Sequence, residues 1–330
     1  MAAVANNVHG FCAIVYVSTA RVATVAALQS AATSLSSSPL VGARLAHCFR
    51  DPVYERTSFC LLSTRPERVQ RSAIALCAAA NRLVDFREYR GTHPALGAID
   101  HICVSPLPHL QRADHQNDVD DDDDGDDETG KGAAAALGIS IGRHLTAELG
   151  VHCEFYGACH SDRLALQSVR RRFGYFSQTA TKTGALASSP ASLPLGIDES
   201  AIDAAARTRS GICCIGATSL VAGLNFRFRP FTPRALVVQL ARRMRVASRV
   251  ESLTLTHADG ALEVACNLLR PHRARWAPAA QRERAAALAL ELGLRVDEAY
   301  TTGLALQDMH DVLREEEAAT VCVTEAGRAI

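Results

Sequence analysis

Arg90-Gly91-Thr92-His93-Pro94-Ala95-Leu96-Gly97-Ala98-Ile99-Asp100 sets a histidine between a glycine and a proline, at the mouth of an apolar run over residues 102–107. Gly91 opens backbone angles closed to other residues, and Pro94 biases His93 toward an extended conformation. A turn of that kind, feeding a strand over 99–107, holds an imidazole at a strand edge rather than on a mobile helix face. Imidazole titrates near neutral pH, so the position suits proton transfer. A capping or packing histidine is the alternative, and the local sequence leaves both open.

Outward from that turn, hydrophobic periodicity predicts strands over 11–17 and 56–63 and helices over 20–32 and 66–83. Beyond it come a helix over 133–149, closed by Gly150, and a strand over 151–156. The order βαββ, an insertion, then αβ is a split βαβ or ferredoxin-like pattern. A proline- and serine-rich stretch over 181–194 leads to a second half. There the pattern predicts strands over 213–216 and 224–228 and a helix over 233–246. A hairpin of 250–256 and 261–268 turns at Asp259-Gly260, and a helix over 278–292 ends at Gly293. The second half repeats the α+β plan of the first, and a cleft between two such halves is a common ligand site.

At 330 residues the chain suits two domains of about 150 residues each. A hydrophobic fraction of 48% is enough to bury a sizeable core. Eleven cysteines without a C-x-x-C pair read as reduced thiols in the cytoplasm. No secretory, plastid or mitochondrial leader is expected, and the apolar stretch over 11–17 is too short for a membrane span. The formal charge of zero hides an asymmetry. Ten acidic residues lie between Asp114 and Glu128; without them the chain holds 35 basic against 25 acidic side chains. Nearly all the basic residues are arginine, which grips carboxylates bidentately and so suits anionic small molecules. Composition bias explains the arginines equally well. No basic stripe with interleaved aromatics points to nucleic acid. Residues 112–132 read as a disordered acidic insertion, because such a charge run cannot bury a core, with an unknown partner.

Among chemical motifs, G-x-G-x-x-G, a Walker loop and H-E-x-x-H are all missing. His93, His101 and His109 recur every eight residues, a spacing that fits no compact metal motif, so no metal is expected. Cys213-Cys214 reads as core. Gly216-Ala217-Thr218, at a strand exit, either lets a flat ligand approach the backbone or makes a plain turn.

Together these residues resemble the formiminotransferase domain of glutamate formimidoyltransferase, known from formimidoyltransferase-cyclodeaminase. The signature G-x-H-P-x-x-G-x-x-D is matched by Gly91, His93, Pro94, Gly97 and Asp100. Collinear matches follow at Leu149-Gly150-Val151, Tyr156-Gly157, Gly216-Ala217-Thr218, Glu263-Val264-Ala265-Cys266-Asn267-Leu268-Leu269 and Gly303-Leu304. The similarity covers roughly residues 11 to 310. It is nearest to the single-domain, cyclodeaminase-like branch found in plants, where Arg171-Arg172 and Gly174-Tyr175-Phe176 also have counterparts.

The resemblance implies an α+β (α/β sandwich) fold of two ferredoxin-like formiminotransferase subdomains with a folate cleft between them. The expected subdomains are 8–180 and 195–310, followed by a tail over 311–330. It implies a transferase moving a formimino or formyl group between tetrahydrofolate and glutamate, with His93 as general acid and base and no metal. It further implies that Arg56 binds a carboxylate, while Gly216, Ala217, Thr218 and Asn225 line the pterin side. A homodimer is allowed, and no cyclodeaminase domain is expected. The chain departs from the family at Tyr16-Val17-Ser18-Thr19-Ala20-Arg21, Phe49-Arg50-Asp51, Glu55, Ser219 to Gly223 and Tyr300-Thr301-Thr302. These changes remove polar groups that orient substrate, so the alternative is a catalytically impaired folate-binding or scaffolding homologue. Deleting residues 114–128 is expected to leave transfer activity unchanged; a loss of activity in the deletion variant would overturn that expectation.

Overall fold

In the computed structural model, residues 10–35, 41–108, 128–175, 208–257 and 259–326 are described. They divide into two compact units. The first takes in 10–35, 41–106, 128–175, 208–218 and 310–326, the second 107–108, 219–257 and 259–309.

In the first unit, strand β1 (Phe11–Val17) turns Ala13, Val15 and Val17 into the core. Helix α1 (Val22–Thr33) follows, and β2 (Arg44–Asp51) and β3 (Arg56–Ser63) pair as a hairpin. Pro66 opens α2 (Pro66–Leu83) at a position where its missing N–H leaves no bond unmade, with Glu67 favourably placed against the helix dipole. Strand β4 (Ile99–Pro106) completes a βαββαβ unit of lateral order β2-β3-β1-β4, every neighbour antiparallel. That is the ferredoxin-like arrangement. After α3 (Glu128–Leu149) come β5 (His152–Gly157), a short α4 (Leu166–Arg172) and β6 (Ile212–Ala217). The two strands extend the sheet beyond β4 as parallel neighbours in the order β4-β6-β5. Val15, Phe59, Leu61, Ile102 and Ile215 from the strands share one buried cluster with Leu28, Leu76 and Ile141 from α1, α2 and α3. All three helices therefore cover one face. Strand alternation sends Tyr16, Arg56, His101, Cys103 and Gly216 to the other.

The second unit repeats the topology. Strand β7 (Ala222–Phe228), α5 (Arg234–Met244), β8 (Val250–Thr256), β9 (Leu262–Leu268), α6 (Pro278–Glu291) and β10 (Glu298–Thr301) form a sheet of order β10-β7-β9-β8, again fully antiparallel. The hairpin turn contains Gly260 at φ +81°, a conformation suited to glycine. The fold class expected from the sequence is thus observed twice over, although the elements that build it differ in part. The strand around Cys213–Cys214, expected in the second half, sits in the first sheet. Its side chains are buried throughout, so no alternation told which sheet it joins. Strands β2 and β10 were not predicted: β2 is half-buried along its length and interrupted by arginine and histidine, and β10 has four residues. Of the insertion expected as disordered over 112–132, residues 128–132 instead open α3, while 112–127 and the linker over 181–194 lie outside the described residues.

Residues expected as a tail form most of α7 (Leu306–Ala326). A buried carboxylate holds it to the first unit. Glu316, 1% exposed, accepts Ser63 Oγ at 2.6 Å, the Thr64 N–H at 3.0 Å and Arg68 Nη1 at 3.1 Å. Glu316→Gln leaves the buried Arg68 guanidinium without its counter-charge, which costs about 3–5 kcal/mol. A loss of unfolding free energy of that size, read as a lower urea midpoint, is expected, and an unchanged midpoint would show that α7 is held by packing alone.

Candidate functional site

Where β4 meets β1, Tyr16 faces His101 and Val17 faces Ile99, so Asp100 is the extra residue of a β-bulge. A bulge re-aims the side chain it carries. Asp100 is fully buried, and its carboxylate gathers three donors. Oδ1 accepts the Leu96 N–H at 2.8 Å; Oδ2 accepts Arg56 Nη2 at 2.9 Å and Arg170 Nη2 at 2.7 Å. Burial alone pushes the Asp100 carboxyl up, yet Arg170, Arg56 and the Leu96 N–H together hold it below its ordinary value. Each guanidinium also lies over a tyrosine ring: Arg56 is 4.4 Å from the Tyr16 centroid and Arg170 4.3 Å from that of Tyr175. Arg170 Nη1 donates to the Tyr175 hydroxyl at 2.9 Å. The Nε atoms of both arginines are buried and make no hydrogen bond.

His93 is carried on a loop pinned from three sides. Ser18 binds the Gly97 carbonyl through Oγ at 2.7 Å and the Ala98 carbonyl through its N–H at 2.9 Å. The Ile212 N–H binds the Leu96 carbonyl at 2.8 Å. The Tyr89 hydroxyl reaches the carbonyls of His93 at 2.7 Å and Tyr54 at 2.9 Å. Gly91 serves this last contact rather than an unusual φ, because a Cβ there would lie 2.3 Å from the Tyr89 hydroxyl. His93 Nδ1 lies 2.7 Å from the Pro94 carbonyl, which can only accept. That bond assigns the proton to Nδ1 and leaves Nε2 as the basic nitrogen. Arg56 Nη1 stands 3.1 Å from Nδ1 and 3.3 Å from Nε2, against the ring edge between them. Burial first, and then the Arg56 charge, pull the His93 pKa down from its ordinary near-neutral range to about 3.

Of the residues singled out in the sequence, the fold brings His93 and Arg56 into contact. Gly216, Ala217 and Thr218 lie in the same unit on β6 and its exit. The ring that approaches the Gly216 backbone is that of Tyr156: a Cβ on Gly216 would come within 2.5 Å of it. Ala217 joins the helix-covered core, and the Thr218 hydroxyl meets Cys103 Sγ at 3.3 Å. Asn225 belongs to the second unit. Its Nδ2 donates to Glu263 Oε1 at 2.8 Å, and Tyr300 donates to Oε2 of the same fully buried carboxylate at 2.7 Å. His101 is engaged in the sheet face: it stacks on Tyr16 with centroids 5.0 Å apart and meets the Tyr156 hydroxyl at 2.7 Å. Its pKa is held well below neutral, by burial first and then by Arg170 and Arg56. The structural roles of Asp100 and Arg170 escaped the sequence. Asp100 carried only a motif match, and nothing in α4 marks which of Arg170, Arg171 and Arg172 turns inward. Among the described residues, no group of three or more His, Cys, Asp or Glu could hold a metal ion, and no helix is long and apolar enough to cross a membrane.

A family model, the formiminotransferase domain, N-terminal subdomain, matches residues 10–218. Its end coincides with Thr218, where the first unit gives way to the second. A formiminotransferase cyclodeaminase-like protein of Arabidopsis thaliana is 26% identical over 271 residues, which cover 79% of this chain and 82% of that protein.

Asp100→Asn strands the buried guanidinium of Arg170 and the half-buried one of Arg56, and is expected to cost about 3–5 kcal/mol at neutral pH. A carboxyl held below its unfolded value adds stability that is full above about pH 4 and is lost as pH falls through the lower native value. The gap between wild type and variant in urea unfolding should therefore narrow from pH 7 toward pH 3, and a constant gap would refute the ionic role.

Proposed function

The chain belongs to the formiminotransferase family, and from that premise we propose that it moves a formimino or formyl group between tetrahydrofolate and glutamate, with His93 as general acid and base. The observation that carries this reading is the held imidazole of the G-x-H-P motif, with Nδ1 spent on Pro94 and Nε2, which Arg56 Nη1 faces at 3.3 Å, as the basic nitrogen. As the glutamate amine forms its bond to the amidine carbon, it gives a proton to Nε2. As the bond from that carbon to folate N5 breaks, the same proton passes to N5. Arg56 receives a substrate carboxylate, for which its unpaired Nε–H and its net positive surroundings are suited. Thr218 is the proposed polar contact of the folate in the first unit, with Gly216 and Ala217 contributing backbone. The ten described cysteines are all free thiols, in keeping with a cytoplasmic setting.

The low basicity of His93 favours a second reading, a folate-binding homologue without turnover. Transfer from 5-formiminotetrahydrofolate to glutamate by wild type and His93→Gln separates the two. The transferase reading expects turnover that falls by about 10²–10⁴ in the variant, with folate binding retained. Tight folate binding with no turnover in either protein would leave the second reading standing alone.

A further inference from the structure

Arg56 divides its guanidinium between neighbours of opposite demand. Nη2 holds Asp100 at 2.9 Å, Nη1 lies against the His93 ring edge at 3.1 and 3.3 Å, and the buried Nε makes no hydrogen bond. Asp100 is already shared with Arg170 at 2.7 Å, whose Nε is likewise buried and unbonded. Two guanidiniums thus face one carboxylate, leaving one positive charge uncompensated and two N–H donors unused. The rings of Tyr54 and Tyr175 lie 5.5 and 6.4 Å from the imidazole, centroid to centroid, and the Tyr89 hydroxyl holds the His93 carbonyl. Burial raises the hydroxyl pKa values of Tyr89 and Tyr175, so these two tyrosines stay neutral. With Asp100 the one carboxylate between the two guanidiniums, the arrangement is one anion short, and a carboxylate is the anion that matches a guanidinium edge with two oxygens.

We propose that Arg56 is a brake on His93 which a substrate carboxylate releases. The proposal rests on the transferase reading above and adds how that site is switched. The incoming carboxylate pairs with Arg56 through Nε–H and one Nη–H and cancels its charge, so the neutral Nε2 can take the proton of the attacking amine. Arg170 does not follow. It is 7% exposed, stacked on Tyr175 and bonded to its hydroxyl, so it keeps Asp100 in place when Arg56 turns to substrate. Arg170 is in these terms a positioning residue. The base is then active only beside a bound anion, and water cannot borrow it at other times.

The test is an NMR titration of the full chain labelled at histidine Cε1, with the His93 signal assigned by its loss in His93→Gln. Saturating L-glutamate is expected to raise the His93 pKa by about one unit or more, a tenfold gain in proton affinity. Glutarate, which has the carboxylates without the amine, should do the same. Arg56→Gln should raise it without any ligand and abolish the further response, whereas Arg56→Lys, which keeps the charge, should titrate like wild type. If glutamate and glutarate leave His93 unmoved in the wild type, whether bound or not, the brake is wrong. The wild-type arm does not depend on any variant folding. Because the readout is titration rather than turnover, a working transferase with an unresponsive His93 overturns the brake alone, and a responsive His93 without turnover overturns the transferase reading alone.

Discussion

A buried carboxylate shared by two arginines governs the first unit. Asp100 is an ionised group with no access to water, a state that is tolerated only when counter-charge and hydrogen bonds replace hydration. Its three donors come from β3, α4 and the loop that leads into β4. Those segments are far apart in sequence, so satisfying one carboxylate brings the whole site together. The bulge is what makes this reachable, because a regular β4 would send Asp100 into the helix-covered core. The stoichiometry of two guanidiniums to one carboxylate then has two effects with one cause. It leaves the site positive, which favours an anionic partner, and it depresses the basicity of the imidazole beside Arg56.

The duplicated βαββαβ plan explains where polar chemistry can be placed. In each sheet the helices bury one face, so alternation along the strands assigns large apolar residues to that side. In the first unit the opposite side receives Tyr16, Arg56 and His101. In the second it receives Asn225 and Glu263, which alternate with Leu224, Phe226, Leu262 and Val264 of the core. The first unit differs by its two added parallel strands and by α4. Arg170 and Tyr175 come from that added portion, so the site is completed by what lies beyond the ferredoxin-like plan. A second buried carboxylate, Glu316, ties α7 to the same unit by the same physics, with Arg68 in the role of counter-charge.

Most helices and long strands were legible as periodicity. The stretches Phe11–Val17, Arg56–Ser63 and Pro66–Leu83 have the bounds the pattern predicts. Elements failed where the pattern is weak: β2 is half-buried throughout, β10 is short, and the amphipathic α7 follows no clear start signal. The strand over 212–217 was recognised, but its sheet was not, because a strand buried on both faces carries no mark of its neighbours. The candidate site divides the same way. His93 and Arg56 stood out by motif, whereas Arg170 sits in a run of three arginines whose orientation depends on the packing of a seven-residue helix.

The sequence by itself determined the fold class and the family resemblance, because each is written in local pattern or in collinear motifs. Only the tertiary structure decided which carboxylate answers which arginine, which imidazole nitrogen carries the proton and how basic the other is. Those properties are sums over charges and burial contributed by segments up to about a hundred residues apart, with energies that fall steeply with distance. A linear chain does not encode such distances until it has folded.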